Sequence, residues 1–497
     1  MNAGRRWAMC IAGVLWFWCG VIHAQGYSLE EAVRRMTVAD GFHATLVAGE
    51  PHVRQPILVK FDDRGRLWVI QYLQYPNPAG LQRVEVDRYS RTIYDRVPKP
   101  PPQGPRGADR ITICEDIDGD GRADKFTDFV DGLNLATGIA FGHGGVFVLQ
   151  VPYLLFYPDR DRDDIPDSDP EVLLTGFGMG DAQSLSNHLT WGPDGWLYGL
   201  NGSTTTCNIR GIKFQQGVWR YHPMTRRFEL FCEGGGNGYG LDFDHHGNLF
   251  YSSNGSHKVW HGIQGAYYWK QFSKHGELRN PYAFGYFGSV KRVGDFRGGH
   301  VTTGGSLYYG DTFPGRFRGK LFGNNLLSHE VHWHTLTPAG STFETRHGGE
   351  LLLANDLSFA PTDLTVGPDG AVYVCDFHDK RTAHPDPDAE WEVSNGRVYR
   401  IQAEGAPPPA PVDLNMLTSN ELVDWLSHSN AWYVRRARRI LAERRDSTVF
   451  PRLRQLVLES QDDTLVLQAL WALYVSGGFD DDVANQPLRH RSPPVRS

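Results

Sequence analysis

Three aspartates alternate in the stretch Glu115-Asp116-Ile117-Asp118-Gly119-Asp120-Gly121-Arg122-Ala123-Asp124. Asp116, Asp118 and Asp120 fill positions 1, 3 and 5 of a calcium-binding loop, and Gly121 supplies the sharp turn at position 6. Arg122 offers a backbone carbonyl at position 7 and Asp124 a side chain at position 9. Alternate residues of a tight loop can all point inward, as a hard cation with many oxygen ligands requires. Position 12 is Thr127 rather than a bidentate glutamate, so the loop is not an EF-hand. A solvated acidic turn is the plainer alternative. A second run, Asp159, Asp161, Asp163 and Asp167, repeats the spacing, with Asp164 where the glycine would stand. Both readings give structural ions that brace loops.

Other residues could move protons or hold a cofactor. His188 stands just before a strand and is the candidate base, since an imidazole titrates near neutral pH. Packing is the alternative fate for it. Asn237, His257, His300 and Asp376, with His378, lie beside turns and are candidate cofactor contacts.

These residues hang on a repeated phrase. Trp191-Gly192-Pro193-Asp194-Gly195-Trp196-Leu197-Tyr198 reads as strand, tight turn, strand. Proline presets φ at the first turn position, and glycine can adopt φ > 0 at the last. Copies occur at Phe61 to Val69, Phe141 to Val148, Phe243 to Phe250 and Val366 to Val374. A degenerate sixth, Gly319 to Leu327, keeps a strand and a polar turn. One hairpin repeated at blade-length spacing predicts an all-β, six-bladed β-propeller over residues 27–405. The strand at Phe42 to Ala48 is expected to pair with Arg397 to Ile401 and close the ring. Tyr75 to Pro105 is a proline-rich insertion expected to lie over one propeller face.

The bulk properties agree. The chain has 497 residues, 56 glycines, 14 tryptophans, 21 tyrosines and 26 phenylalanines, as a turn-rich β protein should. The formal net charge of −7 gives no reason to expect nucleic acid as a partner. Arg5 and Arg6, the apolar run Trp7 to Ile22, and a small-residue site at Ala24 predict a signal peptide over residues 1–24. The mature chain is then periplasmic or extracellular. Cys114, Cys207, Cys232 and Cys375 remain after its removal, and Cys207 with Cys232 is one plausible disulfide, free buried thiols being the alternative. No Cys-x-x-Cys-His occurs, so the sequence holds no haem c attachment site.

Residues 406–411 form a proline-rich linker. Residues 412–497 turn helical, with paired helices that read as HEAT-like repeats, incomplete at Pro493 to Ser497 and a possible protein-binding surface. The arginine run 435, 436, 438 and 439 is expected on a solvated helix face, with a binding patch as the alternative.

Taken together, FDDRGRLWV, EDIDGDGRADKF, WGPDGWLYG, GNGYGLDFDHHGNLF, GPDGAVYVCDF and GRVYRI resemble a bacterial membrane-bound dehydrogenase family common in planctomycetes and verrucomicrobia. The resemblance covers about residues 30–402 and implies a propeller, HEAT repeats and often a haem c domain, which is missing here. It is similar at a greater distance to glucose/sorbosone dehydrogenases that use pyrroloquinoline quinone. Their pattern puts a histidine where Ser184 stands, four residues before His188, and an Arg-Asn-Pro where Gly236-Asn237-Gly238 stands. Arg279-Asn280-Pro281 is out of register with the hairpins. The resemblance implies an exported dehydrogenase that oxidises a sugar or alcohol and passes electrons to a c-type cytochrome. A non-catalytic glycan- or protein-binding propeller and a calcium-dependent lactonase- or esterase-like hydrolase are the alternatives.

Overall fold

The computed structural model describes residues 26–87, 91–254, 258–270, 286–296, 302–380, 391–407 and 412–497. Residues 1–24, expected as a signal peptide, and His257, His300 and Arg279-Asn280-Pro281 lie outside the described residues.

Six sheets stand around one axis. Their innermost strands are Pro56–Phe61, Ala136–Phe141, Asn187–Trp191, Gly238–Phe243, Thr302–Leu307 and Pro361–Val366. Each innermost strand packs on the next, and the last packs on the first, so the ring closes. Blade six closes as expected: Phe42–Gly49 pairs antiparallel with Arg397–Ala403. The six hairpin copies are the six blades' inner hairpins. The degenerate one is the second strand of blade five, Leu321–Asn325, whose turn has grown into the stretch 308–320.

Gly217–His222 is the third strand of blade three. Gly340 lies in the outer turn of blade five, between Glu330–Ala339 and Thr342–Leu353.

Each blade junction carries a side chain to backbone hydrogen bond. Asp109 accepts from Ala136 N between blades one and two (2.9 Å). Thr137 donates to Ser186 O (2.6 Å), Asn187 to Gly238 O (3.0 Å) and Ser252 to Gly304 O (2.7 Å). Thr303 donates to Pro361 O (2.5 Å) and Thr362 to Pro56 O (2.9 Å). These bonds satisfy backbone groups that the packing of blades hides from water. All four described cysteines are free and buried, so no Cys207–Cys232 disulfide forms. Cys207 lies near Asn201 instead.

The helical region comprises Ser419–Asp424, Ala431–Arg444, Phe450–Glu459 and Asp463–Ser476, then short turns to Arg496. Thr418 caps the first helix in a capping box with Glu421. The arginine run is neither solvated nor free. It presses onto the propeller, where Arg438 and Arg439 are buried. All six repeated turns, or their equivalents, form the seat. Arg439 donates to Asp63 of blade one (2.5 Å), and Glu443 lies against Gly142 of blade two. Val475 meets Gly195 of blade three, and Trp471 meets Gly247 of blade four. Ala431 N donates to Tyr309 O of blade five (2.9 Å), and Asn430 donates to Gly367 O of blade six (3.1 Å). Glycine suits these turns twice over: φ is positive at Gly195 and Gly247, and a side chain there would press on Val475 or Trp471.

Candidate functional site: the propeller axis and its free mouth

Every inner strand breaks register with its neighbour at one point, for instance between Asn187 and Thr190 and between Pro361 and Leu364. Such bulges re-aim side chains. At those points His188, Tyr239 and Asp363 turn toward one another, with Lys60 beside them. His188 adopts φ +61 and is only 2% exposed. Its Nδ1 lies 3.7 Å from Asp363 Oδ1, and its ring centroid lies 6.0 Å from that of Tyr239. Tyr239 reaches across the axis and donates to Ile57 O (2.9 Å).

Burial dominates the electrostatics. It pushes the Asp363 carboxyl up to about 7, with Lys60 opposing. It holds His188 well below the ordinary imidazole value, and Lys60 adds to that. It also lowers Lys60, against the pull of Asp363 and Asp242. The axis is therefore filled at mid-depth by a neutral imidazole, a phenol and a buried carboxyl. His188 sits inside this plug rather than on an open face.

Below the plug, a cavity of about 140 Å³ is lined by Lys60, Thr190, Ser306 and Thr365 and roofed by Trp432, Arg435 and Arg436 of the helical region. That mouth is covered. The opposite mouth, where the inner strands begin, is the one that the helical region leaves free.

At the free mouth, Asp376 and His378 form a dyad. His378 Nδ1 lies 3.0 Å from Asp376 Oδ2, and both are fully buried. Asp376 Oδ1 also accepts from Ala360 N (2.8 Å) and His378 N (2.9 Å), which fixes the carboxylate. A carboxylate on Nδ1 sets the tautomer and leaves Nε2 as the basic nitrogen. Nε2 faces Gly26, where an added Cβ would stand 2.6 Å from it. The N-terminal arm is held there by Arg397, which donates to Tyr27 O (2.6 Å) and pairs with Glu50 (2.8 Å).

The same mouth gathers further loops. Tyr75 packs on Phe377 and Trp391, with ring centroids 5.8 and 4.9 Å away. Its phenol is pushed up by burial and by the charges of Asp181 and Asp379. Thr204 donates to Asp181. Asn237 ties loops together: its Oδ1 accepts from Ser203 N (2.9 Å) and its Nδ2 donates to Gln183 O (2.8 Å). The insertion 75–105 does lie over this face, where Thr92 N donates to Gly180 O (2.6 Å). It also carries its own hairpin, Arg83–Val86 with Thr92–Tyr94.

The acidic loops lie elsewhere, at equivalent outer turns of blades one and two. The carboxylates of Asp116, Asp118 and Asp120 come within 4.8 Å of one another, as do those of Asp159, Asp161 and Asp167. Asp124 points back into the loop and accepts from Ile117 N (3.2 Å), while Arg122 N donates to Asp120 (2.8 Å). Asp163 instead accepts from Ile165 N (2.9 Å), and Asp164 pairs with Arg66 (2.7 Å).

The architecture defines the class: a six-bladed β-propeller with one mouth seated on a helical region. The chain belongs to the family described as Domain of unknown function (DUF7133), whose pattern matches residues 28–405. No curated protein matches the chain. Similar solved structures include the PQQ domain of pyranose dehydrogenase from Coprinopsis cinerea, at 12% identity and TM-score 0.44, covering 74% of this chain and 97% of that one. The apo soluble aldose sugar dehydrogenase of Escherichia coli is 13% identical with TM-score 0.35, covering 73% and 100%. The PQQ-bound aldose sugar dehydrogenase of Streptomyces coelicolor is 10% identical with TM-score 0.38, covering 74% and 100%.

Pyrroloquinoline quinone carries three carboxylates, which call for arginine or lysine. Among the described residues, the free mouth places Asp181, Asp376, Asp379, Tyr75 and Trp391 near the buried Arg397, whose guanidinium is already paired with Glu50.

Proposed function

We propose that the free mouth is the active site of an exported enzyme acting on a sugar or alcohol, with His378 as general base. The observation that carries this is the dyad: a buried carboxylate on Nδ1 of an imidazole whose Nε2 faces the N-terminal arm. In the oxidative reading, Nε2 takes the hydroxyl proton as the carbon gives up a hydride to an external acceptor, from which electrons pass to a c-type cytochrome. Asp376 keeps Nε2 unprotonated and stabilises the imidazolium that forms. Asn237 ties the loops around the mouth. His188 acts from within the plug as a packing group. Substrate reaches Nε2 only when the segment at Gly26 moves aside.

The acidic mouth favours a second reading, a lactonase-like hydrolase in which the same base activates water. Purified protein assayed with sugars and a dye acceptor, and in parallel with sugar lactones, separates the two. Activity of neither kind would remove both.

In the same proposal, the loops at Asp116 to Asp124 and Asp159 to Asp167 hold calcium and brace the rim beside the helical region. The helices themselves are read as HEAT-like.

A further inference from the structure

Blade five carries a second constellation, on its outer strands. Its two outer strands, Glu330–Ala339 and Thr342–Leu353, pair antiparallel, with His334 opposite His347 and His332 opposite Glu350. Residues directly opposite one another point to the same face, and so do residues two apart on one strand. His332, His334, His347 and Glu350 therefore share one face. On a regular strand His347 and Glu350, three apart, would point to opposite sides. The register shift between Trp333 and His334 leaves Gly348 as an extra residue and restores the phase. Only glycine fits there, because a Cβ would lie 2.1 Å from the Trp333 indole.

The three rings lie close together, although their nitrogens do not all come within 4.8 Å of one another as the acidic-loop carboxylates do, so closing on one ion requires the rings to turn. The ring centroids of His332 and His334 are 4.6 Å apart, those of His334 and His347 5.3 Å, and those of His332 and His347 6.2 Å. With a nitrogen to metal distance of about 2.1 Å, imidazoles on one ion have centroids about 4.5–5.5 Å apart. Two pairs sit at that spacing, and the third is within about an ångström of it. His332 and His334 are buried, while the side chains of His347 and Glu350 are 14% and 36% exposed, so the cluster opens to solvent on one side. Gly323, opposite His332, leaves room at its Nε2. Phe296 stacks on His334. Glu350 Oε1 lies 3.2 Å from His347 Nε2, and His347 Nδ1 lies on the buried side of the ring. A carboxylate on the far nitrogen of a histidine is the usual way a metal-binding imidazole is aimed.

We propose that His332, His334 and His347 bind one divalent transition-metal ion on blade five, with Glu350 orienting His347. Three imidazoles suit zinc, cobalt, iron or copper, and not calcium or magnesium, which take oxygen ligands. The fourth coordination position faces the solvent side.

The test uses full-length protein stripped with chelator and titrated with Zn²⁺ by calorimetry and with Co²⁺ by visible absorption. One equivalent of each is expected. His334→Ala and His347→Gln should each weaken binding at least tenfold, and Glu350→Gln by about tenfold. Asp116→Asn in the acidic loop should leave it unchanged. Circular dichroism confirms that each variant is folded, and the partly exposed His347 serves if His334→Ala does not fold. No stoichiometric uptake, or equal uptake by wild type and His347→Gln, would overturn the assignment.

Discussion

Arg435 Nη1 lies 2.6 Å from Asp242 Oδ1, joining the helix Ala431–Arg444 of the C-terminal region to an inner strand of blade four. The same guanidinium donates to Phe243 O (2.7 Å). A helix face that sequence alone marks as polar is thus a docking surface, and its charge is matched by aspartates at the ends of the inner strands.

Replacing Arg435 should loosen this seat. Asp242 is only 4% exposed, so Arg435→Ala leaves a buried carboxylate short of its strongest donor. A loss of about 1.5–3 kcal/mol is expected, the range for a hydrogen bond to a charged group. Urea unfolding followed by tryptophan fluorescence checks it. An unchanged midpoint would show that the helical region is not held by this pair.

The axis should leave a signature in the pH dependence of stability. Burial raises the Asp363 carboxyl to about 7, so the fold binds a proton that the unfolded chain has lost. Stability from this group is present below the ordinary carboxylate value and is lost as pH rises toward about 7. His188 runs the other way below its ordinary value, because the unfolded imidazole takes a proton that the buried one refuses. Asp363→Asn removes only the first effect. Its stability relative to wild type should climb between about pH 4 and 7, by at most about 1.4 kcal/mol per unit. A difference that is flat with pH would contradict the placement of Asp363.

Calcium should raise the melting temperature of chelator-treated protein. Asp116→Asn combined with Asp118→Asn should remove the part of that rise due to blade one, and Asp161→Asn the part due to blade two. Thermal melts with and without calcium read this directly. Identical melts in chelator and in calcium would leave both loops as solvated turns.

Much of this was legible in the residues. The hairpin phrase counts the blades correctly because it needs a glycine corner followed by bulky strand residues, and both are local requirements. Strand 42–49 closing blade six follows from the same count. What the residues did not show was where each face points. Arg436 and Arg439 look solvent-bound on a helical wheel, yet the ring of turns offers them the Phe61 carbonyl and Asp63, while Arg438 is buried against Gln468 of the neighbouring helix. His188 lies within the inner strand of blade three rather than just before it, and the register break there turns it into the axis. His332-Trp333-His334 carries the alternation of a strand-borne ligand pair, but its partner His347 comes into phase only through the bulge at Gly348. Asp376 was within reach as a residue beside a turn, but its role depends on His378 folding back at φ +58.

The central claim is that His378, set by Asp376, is the base of a reaction at the free mouth. The most direct measurement compares wild type, Asp376→Asn and His378→Gln for dye-linked oxidation of sugars and alcohols and for opening of sugar lactones, with melting temperature as the folding control. The account predicts activity in wild type and losses of at least a hundredfold in both variants at preserved folding. Full activity in folded His378→Gln would contradict it.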